Sequence, residues 1–172
     1  PNDKDSLVEK DKKKIVNSIR RDNFQRDQLM NGLKNLDKED IIILSDLDEI
    51  PNLENIDLKE INNEIIIFKQ KMFYYKLNLE YPNFNWMGTK ICKIKHLHSP
   101  QWLRSVKSKK YPFWRPDVLF SKKKYSNLKF IDSGGWHFTN IMTPETLDIK
   151  MRAFSHHLEY EESGFNPKKL KE

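Results

Sequence analysis

Apolar residues in this chain fall into two arrangements, short unbroken runs and wider periodic stripes, and the two predict different elements. Ile41-Ile42-Ile43-Leu44 is a run of four, three of them β-branched. It is too short for a free-standing helix and predicts a strand buried on both faces. Glu64-Ile65-Ile66-Ile67-Phe68 predicts a second such strand, and Thr89 to Lys95 another. Met72 to Leu79 is aromatic-rich and reads as a strand whose alternate residues face opposite sides. Asp117-Val118-Leu119-Phe120 and Leu128-Lys129-Phe130-Ile131 read as short strands paired as a hairpin around Lys122-Lys123-Lys124.

Helical spacing takes over elsewhere. From Ile15 to about Leu36, Leu29, Leu33 and Leu36 fall at i, i+4 and i+7, with Asp22 as a candidate cap. Leu53, Ile56, Leu58 and Ile61 suggest a short helix closed by Asn62-Asn63, and Ser99-Pro100 opens a helical turn carrying Trp102 and Leu103. Thr143-Pro144-Glu145 combines a capping Thr, Pro at the first position and an acid in the first turn. Leu147, Met151, Phe154 and Leu158 form the stripe of that last helix. Pro82 to Gly88 and Lys107 to Pro116 read as loops, residues 1–14 and 163–172 as exposed tails. Helices leading into strands place the chain in the α/β class, with residues 1–172 as a single domain.

The run ending at Leu44 turns acidic within two positions, as Ser45-Asp46-Leu47-Asp48-Glu49-Ile50-Pro51. Open α/β sheets place ligands past the carboxyl ends of their strands, where these acids fall. Pro51 is expected to stop ladder pairing and leave the acids on a turn. In an extended segment Asp46 and Asp48 point the same way and reach one cation, while Leu47 turns back into the protein. Two carboxylates on one side of a hard cation leave room for water and phosphate oxygens, as magnesium or manganese carrying a nucleotide requires. Acids after a strand are common, and a bare Asp-x-Asp also arises by chance. A calcium loop of the EF-hand kind is a poor fit, since counting from Asp46 puts Pro51 where Gly belongs and Asp57 where Glu belongs. A haloacid dehalogenase-type phosphohydrolase with Asp46 as nucleophile is the rival enzyme. That family usually continues with Gly-Thr, whereas Glu49-Ile50-Pro51 follows here.

Composition narrows the classes further. A chain of 172 residues, 37% hydrophobic, suffices for one ordinary core. The net charge of +6 comes from scattered lysines interleaved with acids, so a non-catalytic basic binding module is the third reading, and no nucleic acid partner is expected. The lone Cys92, inside Ile91-Cys92-Lys93-Ile94, suits a small core residue. Nothing asks for an oxidising compartment, and the expected location is cytoplasmic. No apolar run reaches the roughly 20 residues that span a bilayer.

Further candidates lie downstream. In Asp132-Ser133-Gly134-Gly135-Trp136-His137, the paired glycines admit a close approach. His137 is a candidate third metal ligand, although a lone His is more often a satisfied structural residue. Lys150 can meet a diphosphate as a point charge.

Taken in order, Arg26 and Leu29 on a helix, Ile41 to Leu44, Ser45-Asp46-Leu47-Asp48-Glu49-Ile50-Pro51, Tyr74-Tyr75-Lys76-Leu77-Asn78, Trp86-Met87-Gly88-Thr89-Lys90, Gly135-Trp136-His137-Phe138 and Lys150 to His156 resemble glycosyltransferase family 17. That family includes the enzymes that add the bisecting N-acetylglucosamine to N-glycans. The likeness covers roughly residues 20 to 160. It implies a GT-A-like, Rossmann-type sandwich with a central mixed sheet flanked by helices. The strands that hold the uridine base are not found here, so the chain is expected to be a C-terminal portion of a longer enzyme. The implied activity is metal-dependent, inverting transfer of N-acetylglucosamine or a related sugar from a UDP-sugar donor to a glycan acceptor. Asp46, Asp48 and His137 would hold Mn2+ or Mg2+, and Lys150 and Trp136 would bind the donor. Glu49, Asp132 and Glu159 are candidate bases, though Asp132 is not a fixed acid in the family.

Overall fold

The computed structural model describes residues 6–54, 56–58, 61, 65–153, 160 and 163–164. Its class is mixed α/β, with two mixed sheets and four α-helices among the described residues. The chain divides into two compact units, one formed by Asp27–Thr139 and the other by Pro1–Arg26 with Asn140–Glu172.

The unit Asp27–Thr139 holds both sheets. In the first, β1 (Ile41–Leu44), β6 (Lys90–Lys93), β3 (Ile65–Phe68) and β7 (Leu128–Ile131) lie side by side in the order β1-β6-β3-β7. Only the β3–β7 pair is parallel. The second sheet runs β2 (Glu49–Pro51), β8 (Gly135–Thr139), β4 (Gln70–Tyr74), β5 (Glu80–Trp86), with β4 and β8 parallel. Strands of the first sheet continue into the second through short linkers, β1 into β2, β3 into β4 and β7 into β8, while β5 returns into β6. These linkers form a seam at the carboxyl ends of β1, β3 and β7, where strand polarity favours ligand sites.

Apolar alternation explains which strand is central. Ile65 and Ile67 join Leu44, Cys92, Leu103, Val106 and Leu128 in one cluster, while Ile66 and Phe68 join Ile61 and Ile91 in another. Thus β3 is buried on both faces as its sequence predicts. The same expectation for β1 is corrected, because β1 is an edge strand on which Ile43 is exposed and only Leu44 is buried.

Other sequence expectations change for physical reasons. Pro51 does not end pairing, since β2 borders only β8 and an edge strand tolerates a residue with no N–H to give outward. The positive φ of Gly135 (116°), opposite Pro51, lets the two backbones come close where a Cβ would strike the Ile50 carbonyl. Residues 116–119 form α3 (Pro116–Leu119) in place of a strand, because Pro116 presets the first helical position and Asp117 pairs with Arg115. β7 therefore finds its partner in β3 and not in a local hairpin. The segment expected as a loop at 82–88 is largely strand β5, and β4 stops at Tyr74. α2 (Pro100–Ser105) starts as predicted, with Ser99 Oγ accepting from Trp102 N–H at 3.1 Å. The helix expected over 53–61 is not an α-helix at its described residues, of which Ile56, Leu58 and Ile61 pack with the second cluster; residues 55, 59 and 60 lie outside the described residues.

In the other unit, α1 (Leu7–Asp27, its last residue belonging to the first unit) runs straight through Asp22, so residues 7–14 are helical and not a lead-in. A 3-10 helix, Gln28–Leu33, which lies in the unit Asp27–Thr139, replaces the second half of the expected helix. α4 (Pro144–Ala153) begins with Thr143 Oγ1 accepting from Thr146 N–H, and Leu147 is buried. Phe154, His157, Leu158 and Glu159 lie outside the described residues. No described helix is long and apolar enough to cross a membrane.

Candidate functional site

The acidic linker between β1 and β2 is a tight turn. Glu49 N–H donates to the Asp46 carbonyl at 3.0 Å, closing residues 46–49. An extended backbone would have aligned Asp46 with Asp48 and buried Leu47. The turn instead leaves Leu47 fully exposed at its tip and sends the two aspartates to different partners.

Asp46 meets Arg104 Nη2 at 2.8 Å. The same guanidinium forks onto Glu49, Nη2 to Oε1 at 2.7 Å and Nη1 to Oε2 at 3.1 Å. Glu49 also accepts from the Trp86 indole at 2.6 Å and from Asp46 N–H at 3.0 Å, and Thr89 Oγ1 lies 3.4 Å from its second oxygen. Burial pushes its carboxyl upward, but Arg104, Trp86 and the Asp46 N–H outweigh that and hold it below the usual carboxylate range. A carboxylate so enclosed has neither the exposure nor the spare lone pairs to take a substrate proton. The structure therefore gives Glu49 a structural part, not that of a base.

Asp48 turns toward β8. Its backbone carbonyl accepts from Phe138 N–H at 2.8 Å, and its Oδ2 stands 3.4 Å from His137 Nε2. His137 is buried and stacked on Trp86, with ring centres 4.6 Å apart and planes 12° from parallel. Its Nδ1 is buried without a hydrogen-bond partner among the described residues. The ring is thus fixed by packing, with Nε2 as the atom offered to Asp48.

The remaining candidates do not converge on this pair. Trp136 precedes His137 on β8, so its side chain takes the opposite face of the sheet, where it is partly exposed. Asp132 sits on the β7–β8 linker, exposed, and pairs with Lys69 at 2.7 Å. Lys150 belongs to the other unit, where its Nζ donates to Asn140 Oδ1 at 2.8 Å.

Arg104, Trp86, Thr89 and Lys90 are central residues that the sequence reading did not single out individually. Lys90 is buried, and its Nζ donates to the carbonyls of Arg104 (2.8 Å) and Val106 (2.6 Å), anchoring the end of α2 that presents Arg104. Burial, and the positive charge of Arg104 beside it, push its amine down to about 8. Three of the four stand in Trp86-Met87-Gly88-Thr89-Lys90, the signal that could have found them; nothing in the sequence near Arg104 points to it.

The donor set can be set against a divalent cation. Two ligands about 2.1 Å from one ion and at right angles stand about 3 Å apart, close to the separation of Asp48 Oδ2 and His137 Nε2. No group of three or more His, Cys, Asp or Glu placed to hold a metal occurs among the described residues. The fit is to an ion held at two protein positions, its other positions left for water and phosphate oxygens. No family model, curated protein or solved structure matches the chain.

Proposed function

We propose that this protein is a metal-dependent glycosyltransferase of the GT-A kind that moves N-acetylglucosamine or a related sugar from a UDP-sugar to a glycan acceptor. The observation that carries the reading is the meeting of Asp48 and His137 at the seam between the two sheets. Two residues distant in sequence, both belonging to the motifs that resemble family 17, present a carboxylate and an imidazole at hydrogen-bonding range. The acid turn past β1 is where a sheet of this polarity holds a diphosphate.

In this reading Asp48 and His137 bind the ion directly, and Asp46, engaged by Arg104, acts through water. An ion held by these residues would supply positive charge against that growing on the departing diphosphate. The chain's own contribution is rigidity. Glu49, Arg104 and Trp86 fix the turn, and the Trp86 stack fixes the imidazole, so the donor groups need little rearrangement when the ion arrives. Of Asp132 and Glu49, only Asp132 has a carboxylate open to an acceptor hydroxyl.

The test is thermal unfolding of the longest natural chain with UDP-N-acetylglucosamine and other UDP-sugars, each with and without Mn2+. Binding to the folded state raises the melting temperature. A rise that needs both nucleotide sugar and Mn2+ supports the reading. No rise with any donor, or the same rise in excess chelator, removes it.

A further inference from the structure

Beyond His137 the same sheet face leads into an aromatic cavity. β4 and β8 run parallel with Met72 beside His137 and Tyr74 beside Thr139. Residues in register share a face, as do residues two apart on one strand, so Met72, Tyr74 and His137 look the same way. Tyr74 lies one such step, about 7 Å, past His137. There the chain turns at Tyr75, whose φ of 64° is rare for a bulky residue, and comes back as β5.

The turn and the start of β5 border an open cleft of about 510 Å³ lined by Tyr74, Tyr75, Leu79, Glu80, Tyr81 and Pro82. That volume lies in the range of pockets for drug-sized ligands, about 300–1,000 Å³. The Tyr74 ring centre is 5.7 Å from that of Tyr75 and 5.9 Å from that of Tyr81. Glu80 is held at the rim by Lys71 at 3.3 Å. Burial, followed by the neighbouring phenols of Tyr75 and Tyr81, raises Tyr74, which keeps its hydroxyl protonated and able to donate.

We propose that this cavity is a carbohydrate subsite that seats a pyranose ring of the acceptor glycan; the acceptor role rests on the transferase reading above. A pyranose has C–H faces that lie on aromatic rings and an equatorial belt of hydroxyls that needs polar partners at the edge. Three tyrosines and a carboxylate supply both. Glu80 keeps lone pairs beyond its contact with Lys71 that can accept from a sugar hydroxyl.

Saturation-transfer NMR with chitotriose and with mannotriose, in the absence of metal and nucleotide, tests the subsite apart from donor binding. Tyr81 is 54% exposed, so Tyr81→Ala is expected to fold, which circular dichroism checks, and Tyr81→Phe keeps the ring. Transfer to the ring protons of at least one sugar is expected in the wild type. It should persist in Tyr81→Phe, and affinity should fall about tenfold in Tyr81→Ala, roughly 1.4 kcal/mol. The UDP-sugar and Mn2+ melting shift should stay as in the wild type. Absent transfer to either sugar, or equal transfer in wild type and Tyr81→Ala, overturns the subsite. Transfer lost in Tyr81→Ala with no donor-dependent melting shift in any form keeps the sugar site and removes the transferase reading alone.

Discussion

Arg104, in the last turn of α2, meets both carboxylate oxygens of Glu49, in the first position of β2, and the Glu49 side chain is wholly shielded from water. Without the Glu49 charge Arg104 still has Asp46, so the cost is that of the lost charged hydrogen bonds, about 1.5–3 kcal/mol. Glu49→Gln is therefore expected to lose stability of that order in urea unfolding at neutral pH. The depressed carboxyl adds a pH signature. Its stabilisation is fully present above the ordinary value of 4.5 and is lost as pH falls through the lower folded value. The gap between wild type and Glu49→Gln should accordingly narrow on acidification below 4.5. A gap that is constant from neutral pH into that range would show that the pair is not what stabilises the turn.

Gly88 is packed against this pair. A Cβ there would overlap the Glu49 carboxylate and the Trp86 indole nitrogen, so Gly88→Ala must push apart a hydrogen bond of 2.6 Å. The backbone at Gly88 has no positive φ, so the cost is steric and not conformational. Overpacking of this kind costs about 1–3 kcal/mol. The lost Trp86–Glu49 contact should also change the indole emission, with four tryptophans in the chain calling for a Trp86→Phe control. A Gly88→Ala variant as stable as the wild type would contradict the contact.

What could be read from the chain, and what could not, divides along local and non-local chemistry. The strands Ile65–Phe68, Lys90–Lys93 and Leu128–Ile131 and the openings of α2 and α4 follow from apolar runs and capping residues within a few positions. The edge position of β1, the pairing of Pro51 and the parallel partner of β7 depend on which strands lie alongside, and no local pattern carries that. The site shows the same division. Asp48 and His137 were legible as candidates for one site, and their side chains come within 3.4 Å. Leu47 was misplaced because the period-2 argument needs an extended backbone, whereas the Asp46–Glu49 hydrogen bond makes a turn. Glu49 read as a base because acids at strand ends suggest chemistry, but its role depends on Arg104, which lies far along the chain in another element.

Lys90 gives a second pH dependence, of the same sense but in the alkaline range. Its amine titrates at about 8 when folded and at its ordinary 10.5 when unfolded. Between those values the unfolded chain binds more protons, so stability rises with pH across that window. A neutral amine still has two hydrogens for the Arg104 and Val106 carbonyls. Lys90→Met should lose about 1–3 kcal/mol at neutral pH through the unpaired carbonyls, and this difference from wild type should widen from pH 8 to pH 10. A difference that stays level over that range would place the amine's titration elsewhere.

The separate partners of the two aspartates predict separate consequences for ion binding. Asp48 faces His137, whereas Asp46 is held by Arg104, so under the proposed reading the two would not be equivalent ligands despite their spacing. Replacing a direct ligand should abolish saturable Mn2+ binding, and replacing a group that acts through water should weaken it about 10–100-fold. Mn2+ binding followed by water-proton relaxation, with UDP present, reads both. Asp48→Ala and His137→Ala are expected to lose the high-affinity site. Asp46→Ala should retain it with reduced affinity, because Arg104 keeps Glu49 and with it the turn. If Asp46→Ala is the variant that loses the ion while Asp48→Ala keeps it, the assignment of direct and water-mediated positions is reversed. If all three bind Mn2+ as the wild type does, the ion is held elsewhere.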